Sequence, residues 1–124
     1  MKLLLDTHVV LWWRLDSARL KRDVRETVAT ADIVWVSAAS AWEVVIKQAV
    51  GKLELTDPFA SMVRASEFTE LPVTFRHAEQ LAALPPHHAD PFDRMLIAQA
   101  QSEGATIVTH DRLFKPYDIR IVWV

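Results

Sequence analysis

Four acidic residues stand where a parallel sheet would bring carboxylates together. Asp6 directly follows an apolar strand at the start of the chain, and Asp111 comes shortly after another apolar strand near its end. Glu43 lies one turn into a helix that follows a further strand, and Asp93 lies in the first turn of a later helix. Converging carboxylates repel each other by roughly 4 kcal/mol per pair at 4 Å and an effective dielectric near 20. Such a cluster is tolerated when the acids are protonated, spread apart or neutralised by a cation.

The ligand atoms on offer select the kind of cation. The chain has no cysteine, which excludes a disulfide scaffold, a thiolate zinc site and a cysteine nucleophile. Hard carboxylate oxygens without a paired histidine motif favour Mg²⁺ or Mn²⁺ over zinc. Mg²⁺ held by carboxylates keeps several waters, contacts substrate phosphates and can activate a water molecule. The four acids therefore predict metal-dependent chemistry on a phosphoryl group.

Each acid also has a simpler interpretation. Asp6 and Asp111 could be helix N-caps, since Asp is a preferred cap residue. Glu43 could pair with Lys47 four residues later on a solvated helix face. Asp90, in the sequence Asp-Pro-Phe-Asp, is a better candidate for a helix cap than the second aspartate of that sequence. The joint pattern supports the metal-site hypothesis more strongly than any single acid does.

Short apolar runs alternate with helical periods along the chain. This alternation predicts a mainly parallel sheet with helical crossovers, and in such sheets ligands bind beyond the carboxyl ends of the strands. Helical periodicity also joins Ala39, Trp42, Ile46 and Ala49, and a helix begins at Pro58. The other predicted helices are Thr7–Leu15, Leu20–Ala31, Ala78–Leu84 and Pro91–Glu103, and the predicted strands are Leu3–Leu5, Ile33–Val36, Glu70–Val73, Thr106–Val108 and Ile119–Val124.

Length and composition are those of an ordinary globular chain. With 124 residues, of which 51% are hydrophobic and 24% charged, we expect one domain, residues 1–124. Only two glycines are present, which excludes a glycine-rich phosphate loop. The formal net charge of −2 argues mildly against tight, non-specific nucleic-acid binding, but a bound metal would supply local positive charge.

The apolar segments are too short for targeting or membrane insertion. The run after Lys2 has three residues, whereas the core of a signal peptide needs roughly 7–15. No window approaches the roughly 20 apolar residues of a membrane span. We therefore expect a cytoplasmic protein that does not associate with membranes.

Histidines could join a site of this kind. His87 and His88 are adjacent and therefore point in different directions, and we place the pair in a surface loop that follows two prolines. His8 and His110 each neighbour a proposed acid and could contact substrate.

Tryptophans and basic residues are further candidates. Core packing is the default for Trp35, Trp42 and Trp123. The adjacent Trp12 and Trp13 cannot both face one core, so one of them would be partly exposed and would mark an interface. Two of the basic residues, Lys47, which lies four residues after Glu43, and Arg94, which directly follows Asp93, could instead form supporting salt bridges. The candidate phosphate contacts are Arg14, Lys47, Lys52, Arg94, Arg112 and Lys115.

Four stretches carry a family resemblance: LLLDTHVVLWW, VSAASAWEVVIKQAVGKLEL, HHADPFDRMLIAQAQSEG and IVTHDRLFKPYDIRIVWV. Together they resemble the PIN-domain family, specifically the VapC-type toxins of type II toxin–antitoxin systems, over nearly the whole chain. The resemblance implies a three-layer α/β/α sandwich with a central, mainly parallel sheet. It also implies an endoribonuclease that cleaves single-stranded RNA with Mg²⁺ or Mn²⁺, through a metal-activated water. A homodimer and a cognate antitoxin that covers the active-site groove are implied as well.

The family's functional positions map onto residues already singled out. Thr109 matches a hydroxyl residue found beside the site. His8 stands where many relatives carry Asn, which leaves a polar role at that position open. Asp90 belongs to a subgroup pattern, and we interpret it as a cap first and an outer helper of the site second. The family's four acids, which are catalytic and metal-binding, correspond in order to Asp6, Glu43, Asp93 and Asp111.

Three other functions compete with a ribonuclease. A phospho-acceptor receiver domain has a similar length and sheet, but it needs paired acids after the first strand and a late lysine. Here Asp6 stands alone and Asp111 occupies the late position. A binding module without activity is at odds with the presence of all four acids. A metal-dependent DNase would use the same cluster, because the substrate channel, not the acids, recognises the 2′-hydroxyl.

Overall fold

A five-stranded sheet forms the centre of the protein, which is described for residues 1–124 by a computed structural model. The spatial order is β3-β2-β1-β4-β5, and every neighbouring pair of strands is parallel. The strands are β1 Lys2–Leu5, β2 Ile33–Ser37, β3 Thr69–Leu71, β4 Thr106–Thr109 and β5 Arg120–Trp123.

Six α-helices cover the sheet, and a short 3-10 helix, Arg112–Phe114, follows β4. No helix is both long enough and apolar enough to cross a membrane. The predicted three-layer α/β/α architecture with a parallel sheet is confirmed. The helices are α1 Thr7–Arg14, α2 Arg22–Ala29, α3 Ala38–Ala49, α4 Phe59–Ala65, α5 Phe75–Leu81 and α6 Pro91–Glu103.

The central strand β1 shows why the sheet carries helices on both faces. Side chains alternate between the faces of a strand. Leu3 and Leu5 belong to a core cluster of 14 buried residues with α1, α2 and α4, whereas Leu4 belongs to a cluster of 11 with α6. All three leucines are completely buried. A strand buried on both faces reads as a continuous apolar run, as this one does.

The strand order places a crevice at the centre of the sheet. From β1 the chain moves outward to β2 and β3, and it then returns to the other side of β1 to form β4 and β5. Connections therefore leave the carboxyl ends of β1 and β4 in opposite directions. Ligands of open α/β sheets bind at such a switch point. Asp6 follows β1 there, and Asp111 lies two residues beyond β4.

Most predicted elements differ from the structure by one to three residues at their ends, and two of these differences have a local cause. The third strand is Thr69–Leu71 and not Glu70–Val73, since Pro72 lacks the N–H that would continue the ladder. Helix α5 begins at Phe75 because Thr74 and His77 cap each other's backbone N–H groups. It therefore buries His77, whereas Ala78, at which the predicted helix began, is exposed.

The tryptophans also depart from the default of core packing. The side chain of Trp42 is 64% exposed, because α3 turns the flank that carries Ala39 and Val44 inward. Trp35 and Trp123 are half-buried. Both members of the adjacent pair, Trp12 and Trp13, are half-buried and pack against the larger core cluster.

Candidate active site

Asp6 lies at the bottom of a polar cleft, and its side chain does not cap α1. The residue is 6% exposed. Its Oδ2 accepts a 2.7 Å hydrogen bond from the Thr109 hydroxyl at the end of β4. The same hydroxyl oxygen accepts a 3.0 Å hydrogen bond from the backbone N–H of Asp111. Burial raises the pKa of Asp6 above its ordinary value, and the bond from Thr109 opposes that shift. Thr109 therefore links the acid that follows β1 to the acid that follows β4.

Glu43 reaches the cleft from α3. The helix begins at Ser37, whose hydroxyl accepts from the N–H of Ala39. Glu43 is 4% exposed, so its pairing with Lys47 is not the solvated pair of the simpler interpretation. Lys47 Nζ donates to Glu43 Oε2 at 2.9 Å, and this bond raises the pKa of Lys47. The other oxygen, Oε1, is buried and has no hydrogen-bond partner.

Asp90 and Asp93 have separate roles at the start of α6. Asp90 is the N-cap: its Oδ1 accepts from the N–H groups of Phe92 at 2.8 Å and Asp93 at 3.1 Å. The predicted cap role of Asp90 is therefore confirmed. The side chain of Asp93 does not cap the helix and instead lines the cleft. Burial, then the charges of Asp6 and three further acids, raise its pKa to about 8.

His88 lies between two of the acids, which corrects its placement in a surface loop. His87 is exposed as expected, but His88 is only 6% exposed. His88 Nε2 lies 3.0 Å from Asp93 Oδ2 and 2.9 Å from Asp111 Oδ2. Asp111 also caps the 3-10 helix, because its Oδ1 accepts from the N–H of Leu113 at 2.9 Å. Both oxygens of Asp111 therefore have hydrogen-bond partners within the protein.

Arg94 holds the segment that carries His88. Its Nη1 donates to the carbonyl of Pro85 at 3.0 Å and to that of His88 at 3.4 Å. The Tyr117 hydroxyl accepts from the N–H of His88 and donates to Pro85 O, both at 2.8 Å. The salt bridge considered for Arg94 is absent, and the arginine supports the site through backbone carbonyls instead.

The cleft is about 380 Å³ in volume and has no apolar lining residue. Five carboxylates line it against two permanent cations, so negative charge is in excess. The lining residues are Asp6, His8, Glu43, Lys47, Asp90, Asp93, His110, Asp111 and Arg112.

A divalent cation fits this set of donors. The unpartnered Oε1 of Glu43 is a buried anionic oxygen that a cation would satisfy. Burial and then repulsion by neighbouring acids raise the pKa of Asp93, and a positive ion would relieve that repulsion. The donor atoms are carboxylate oxygens, which are hard ligands. The cluster can therefore bind a metal ion.

Comparison with known proteins assigns the family. The sequence profile of the PIN domain matches residues 3–119. The chain belongs to the PIN-domain family. It is similar to ribonuclease VapC22 of Mycobacterium tuberculosis (strain ATCC 25618 / H37Rv), with 30% identity over 117 residues that cover 92% of this chain and 90% of the relative. The predicted family resemblance is thus confirmed.

Solved structures of low sequence identity share the fold. VapBC2 of Rickettsia felis, bound to a DNA fragment from its promoter, has a TM-score of 0.75 at 16% identity and covers 98% of both chains. DNA-bound VapBC of Salmonella typhimurium has a TM-score of 0.74 at 18% identity, with coverage of 98% of this chain and 97% of the other.

An apolar groove of about 500 Å³ adjoins the acidic cleft of this PIN domain. Trp42 and Phe92, which precede Glu43 and Asp93 in sequence, pack edge to face there with ring centroids 5.2 Å apart. Val73 contributes a further exposed apolar surface to the groove. The groove and the cleft therefore share a border formed by α3 and α6.

The four acids predicted from the sequence lie together in the structure, whereas sequence reasoning missed His88. The structure gathers all four predicted acids, with Asp90 beside them, in one cleft. The contribution of His88 depends on a non-helical connection whose path Tyr117 and Arg94 fix from distant parts of the chain. One signal was available: two adjacent histidines point in different directions, so one of them can face the protein.

Proposed function

We propose that residues 1–124 form one PIN domain that acts in the cytoplasm as a Mg²⁺- or Mn²⁺-dependent endoribonuclease on single-stranded RNA. In this proposal the protein is the toxin of a toxin–antitoxin pair. The observation that carries the proposal is the acidic cleft at the switch point of the sheet, with its buried and unpartnered Glu43 oxygen. Similarity to VapC22, which is a ribonuclease, supports the class of substrate.

The acids of the cleft have different roles in this proposal. Asp6 and Asp93 would hold the cation, and Glu43 and Asp111 would complete the negative pocket. A bound Mg²⁺ or Mn²⁺ would supply an activated water as nucleophile and positive charge beside the scissile phosphate. Thr109 fixes the orientation of the Asp6 carboxylate through its 2.7 Å hydrogen bond.

The charge of the cleft explains why an RNA strand would need that cation. Five carboxylates against two permanent cations repel a phosphodiester. A divalent ion reverses the local sign and lets the phosphate approach. His8, His110 and Arg112 line the same cleft and are available to the sugar or the neighbouring phosphates.

Two protein partners belong to the proposal. The structural neighbours from Rickettsia and Salmonella are VapBC assemblies, which supports a cognate antitoxin that covers the cleft. The exposed apolar surface at Trp42, Val45 and Phe75 supports protein contacts, and we propose that the chain forms a homodimer. Light scattering of the purified protein should give the mass of two chains, and a monomer would contradict this part.

The test of the function is cleavage of a single-stranded RNA by purified protein. Cleavage should require Mg²⁺ or Mn²⁺ and stop with EDTA. Attack by water, in line with the leaving 3′ oxygen, should leave a 5′-phosphate on the downstream fragment and a 3′-hydroxyl on the upstream one. A strand with 2′-deoxyribose at the cut site should still be cleaved if it binds.

Other results would contradict the proposal. Undiminished cleavage in EDTA would exclude a metal-dependent reaction. Cyclic-phosphate ends, with loss of cleavage on the deoxyribose-substituted strand despite normal binding, would show that the 2′-hydroxyl is the nucleophile. An Asp6→Asn preparation, carried through the same purification, controls for contaminating ribonucleases.

A further inference from the structure

We propose that His88 is a positioning residue of this active site, whose Nε2–H holds Asp93 and Asp111 in the arrangement that binds the cation. The inference rests on the proposed function, because it concerns the same cleft. It adds an N–H hydrogen-bond donor to a site that is otherwise described by its carboxylates.

The backbone fixes which nitrogen of His88 carries the proton. The N–H of Asp90 lies 3.2 Å from His88 Nδ1 and points a donor at it. Nδ1 must therefore be the acceptor, and in a neutral imidazole the proton is then on Nε2. Nε2, which carries that proton, lies 3.0 Å from Asp93 Oδ2 and 2.9 Å from Asp111 Oδ2. One N–H thus lies between two carboxylates that would otherwise repel each other.

This tautomer separates positioning from direct metal binding. His88 Nε2 and oxygens of Asp93 and Asp111 lie within 4.8 Å of one another, a spacing at which three ligands can hold an ion. A metal-bound Nε2 would need its proton on Nδ1, where it would oppose the N–H of Asp90. The geometry therefore favours a histidine that orients the carboxylates and leaves their remaining lone pairs to the cation.

The surroundings hold the ring in one orientation. The ring of His88 packs edge to face against Phe114, with centroids 5.6 Å apart and an interplanar angle of 87°. The Tyr117 hydroxyl accepts from the backbone N–H of His88, and Arg94 donates to the backbone carbonyl of His88. The backbone N–H and C=O of His88 are both held by hydrogen bonds, although the residue lies outside any helix or strand. A precisely placed donor needs such support.

Glutamine and asparagine separate the two ring nitrogens. The amide nitrogen of Gln reaches about as far from the backbone as Nε2, whereas that of Asn reaches only as far as Nδ1. His88→Gln can therefore keep the donor to the carboxylates, while His88→Asn and His88→Ala cannot. His87→Ala is the matched control, because His87 is the exposed neighbour in the same connection.

The first measurement is Mn²⁺ affinity by isothermal titration calorimetry, which does not depend on cleavage. Loss of a partner that orients a metal ligand typically costs about 10–100-fold in affinity, and we expect this for His88→Ala and His88→Asn. His88→Gln should recover most of the loss, and His87→Ala should bind as the wild type does. With saturating Mn²⁺, His88→Gln should also recover kcat.

The second measurement is the tautomer itself. Long-range ¹H–¹⁵N spectra at about pH 8, where an ordinary histidine is neutral, should show Nε2–H for His88 with and without Mg²⁺. The signal is assigned by its loss in His88→Gln. A change to Nδ1–H on addition of Mg²⁺ would make His88 a ligand and overturn the inference.

The outcomes also separate this inference from the proposed function. Equal Mn²⁺ affinity in folded His88→Ala and wild type would overturn the positioning role while cleavage by the wild type still supported a nuclease. A wild type that neither binds Mn²⁺ nor cleaves RNA would refute the proposed function, and the inference with it.

Discussion

The protein contains two buried histidines, one near the start of α6 and one near its end, and their surroundings differ. His88 is 6% exposed and lies between two carboxylates at the edge of the open cleft. His77 is 2% exposed and lies between α5 and α6. Its Nδ1 accepts from the N–H of Thr74 at 3.1 Å and lies 3.3 Å from Gln99 Nε2. Both rings are fixed by a backbone donor to Nδ1, so burial and tautomer alone do not distinguish them.

The carboxylates on the Nε2 side distinguish the two sites. His77 Nε2 has a single acid within 3.5 Å, Glu103, which Arg76 also neutralises. His88 belongs to a cleft that has five carboxylates and two permanent cations. An excess of charge of one sign destabilises a fold. A protein tolerates such an excess where a ligand of the opposite sign binds. The comparison indicates that His77 stabilises the packing of two helices and that His88 serves the site.

Removing an acid from the cleft should have the largest effect on activity. Asp93→Asn keeps the shape of the side chain but removes its charge, and cleavage should fall by more than the roughly 10–100-fold expected for an outer partner of a metal ligand. The free energy of unfolding should not decrease, because the carboxylate is already destabilised by burial and by its neighbours. Cleavage rates and urea denaturation check both statements.

Asp90→Ala is the matched variant three residues away on the same helix. Loss of the cap should cost about 0.5–2 kcal/mol of stability and leave a folded enzyme that still cleaves RNA. If a fully folded Asp90→Ala protein were inactive while Asp93→Asn remained active, the roles of the two aspartates would be reversed.

The complementary change is His77→Ala in the other buried cluster. It removes the acceptor of the Thr74 N–H and a neighbour of Gln99, whose Oε1 already lacks a partner. Loss of a capping interaction at a helix start costs about 0.5–2 kcal/mol, so thermal and urea unfolding should shift accordingly. The kcat/KM of the folded protein should stay at the wild-type value. Loss of activity with unchanged stability would remove the contrast between the two histidines.

Local sequence signals predicted the parts of the fold that local chemistry determines. Helix α6 was predicted with its observed bounds, because Asp90 and Pro91 mark its start and Gly104 ends it in a left-handed conformation at φ 66°. The acids converge because strands β1 and β4 are parallel neighbours, so the residues that follow them share one edge.

Contacts between distant segments determine the parts that were wrong or missed. His88 is buried because Tyr117, 29 residues later, accepts from its backbone N–H, and no local pattern shows this. Trp42 is exposed because the buried flank of α3 includes a charged residue, Glu43. An apolar periodicity count assigns such a residue to the solvent side. A functional site is where hydrophobic patterning is expected to fail.

The pH dependence of stability tests whether the acids of the cleft destabilise the folded protein. The pKa of Asp93 rises from 3.8 to about 8, first because of burial and then because of Asp6, Asp90, Glu43 and Asp111. A carboxyl whose folded pKa is raised contributes stability that is fully present below its unfolded pKa. That contribution is lost as the pH rises through the folded pKa. In EDTA, the wild type should therefore lose stability relative to Asp93→Asn, which has no proton to release there.

The window for this measurement lies between about pH 4 and pH 8, where a single group contributes at most about 1.4 kcal/mol per pH unit. In EDTA, the free energy of unfolding of Asp93→Asn, measured with urea, should rise relative to that of the wild type by about 1 kcal/mol or more between pH 6 and pH 8. Saturating Mg²⁺ should reverse the trend for the wild type, because the ion binds the ionised carboxylates and stabilises the folded state. The same titration of His77→Ala should run parallel to the wild type, since that change leaves the cleft intact. Parallel curves for Asp93→Asn and wild type in EDTA would mean that the acids of the cleft do not destabilise the folded protein and need no cation.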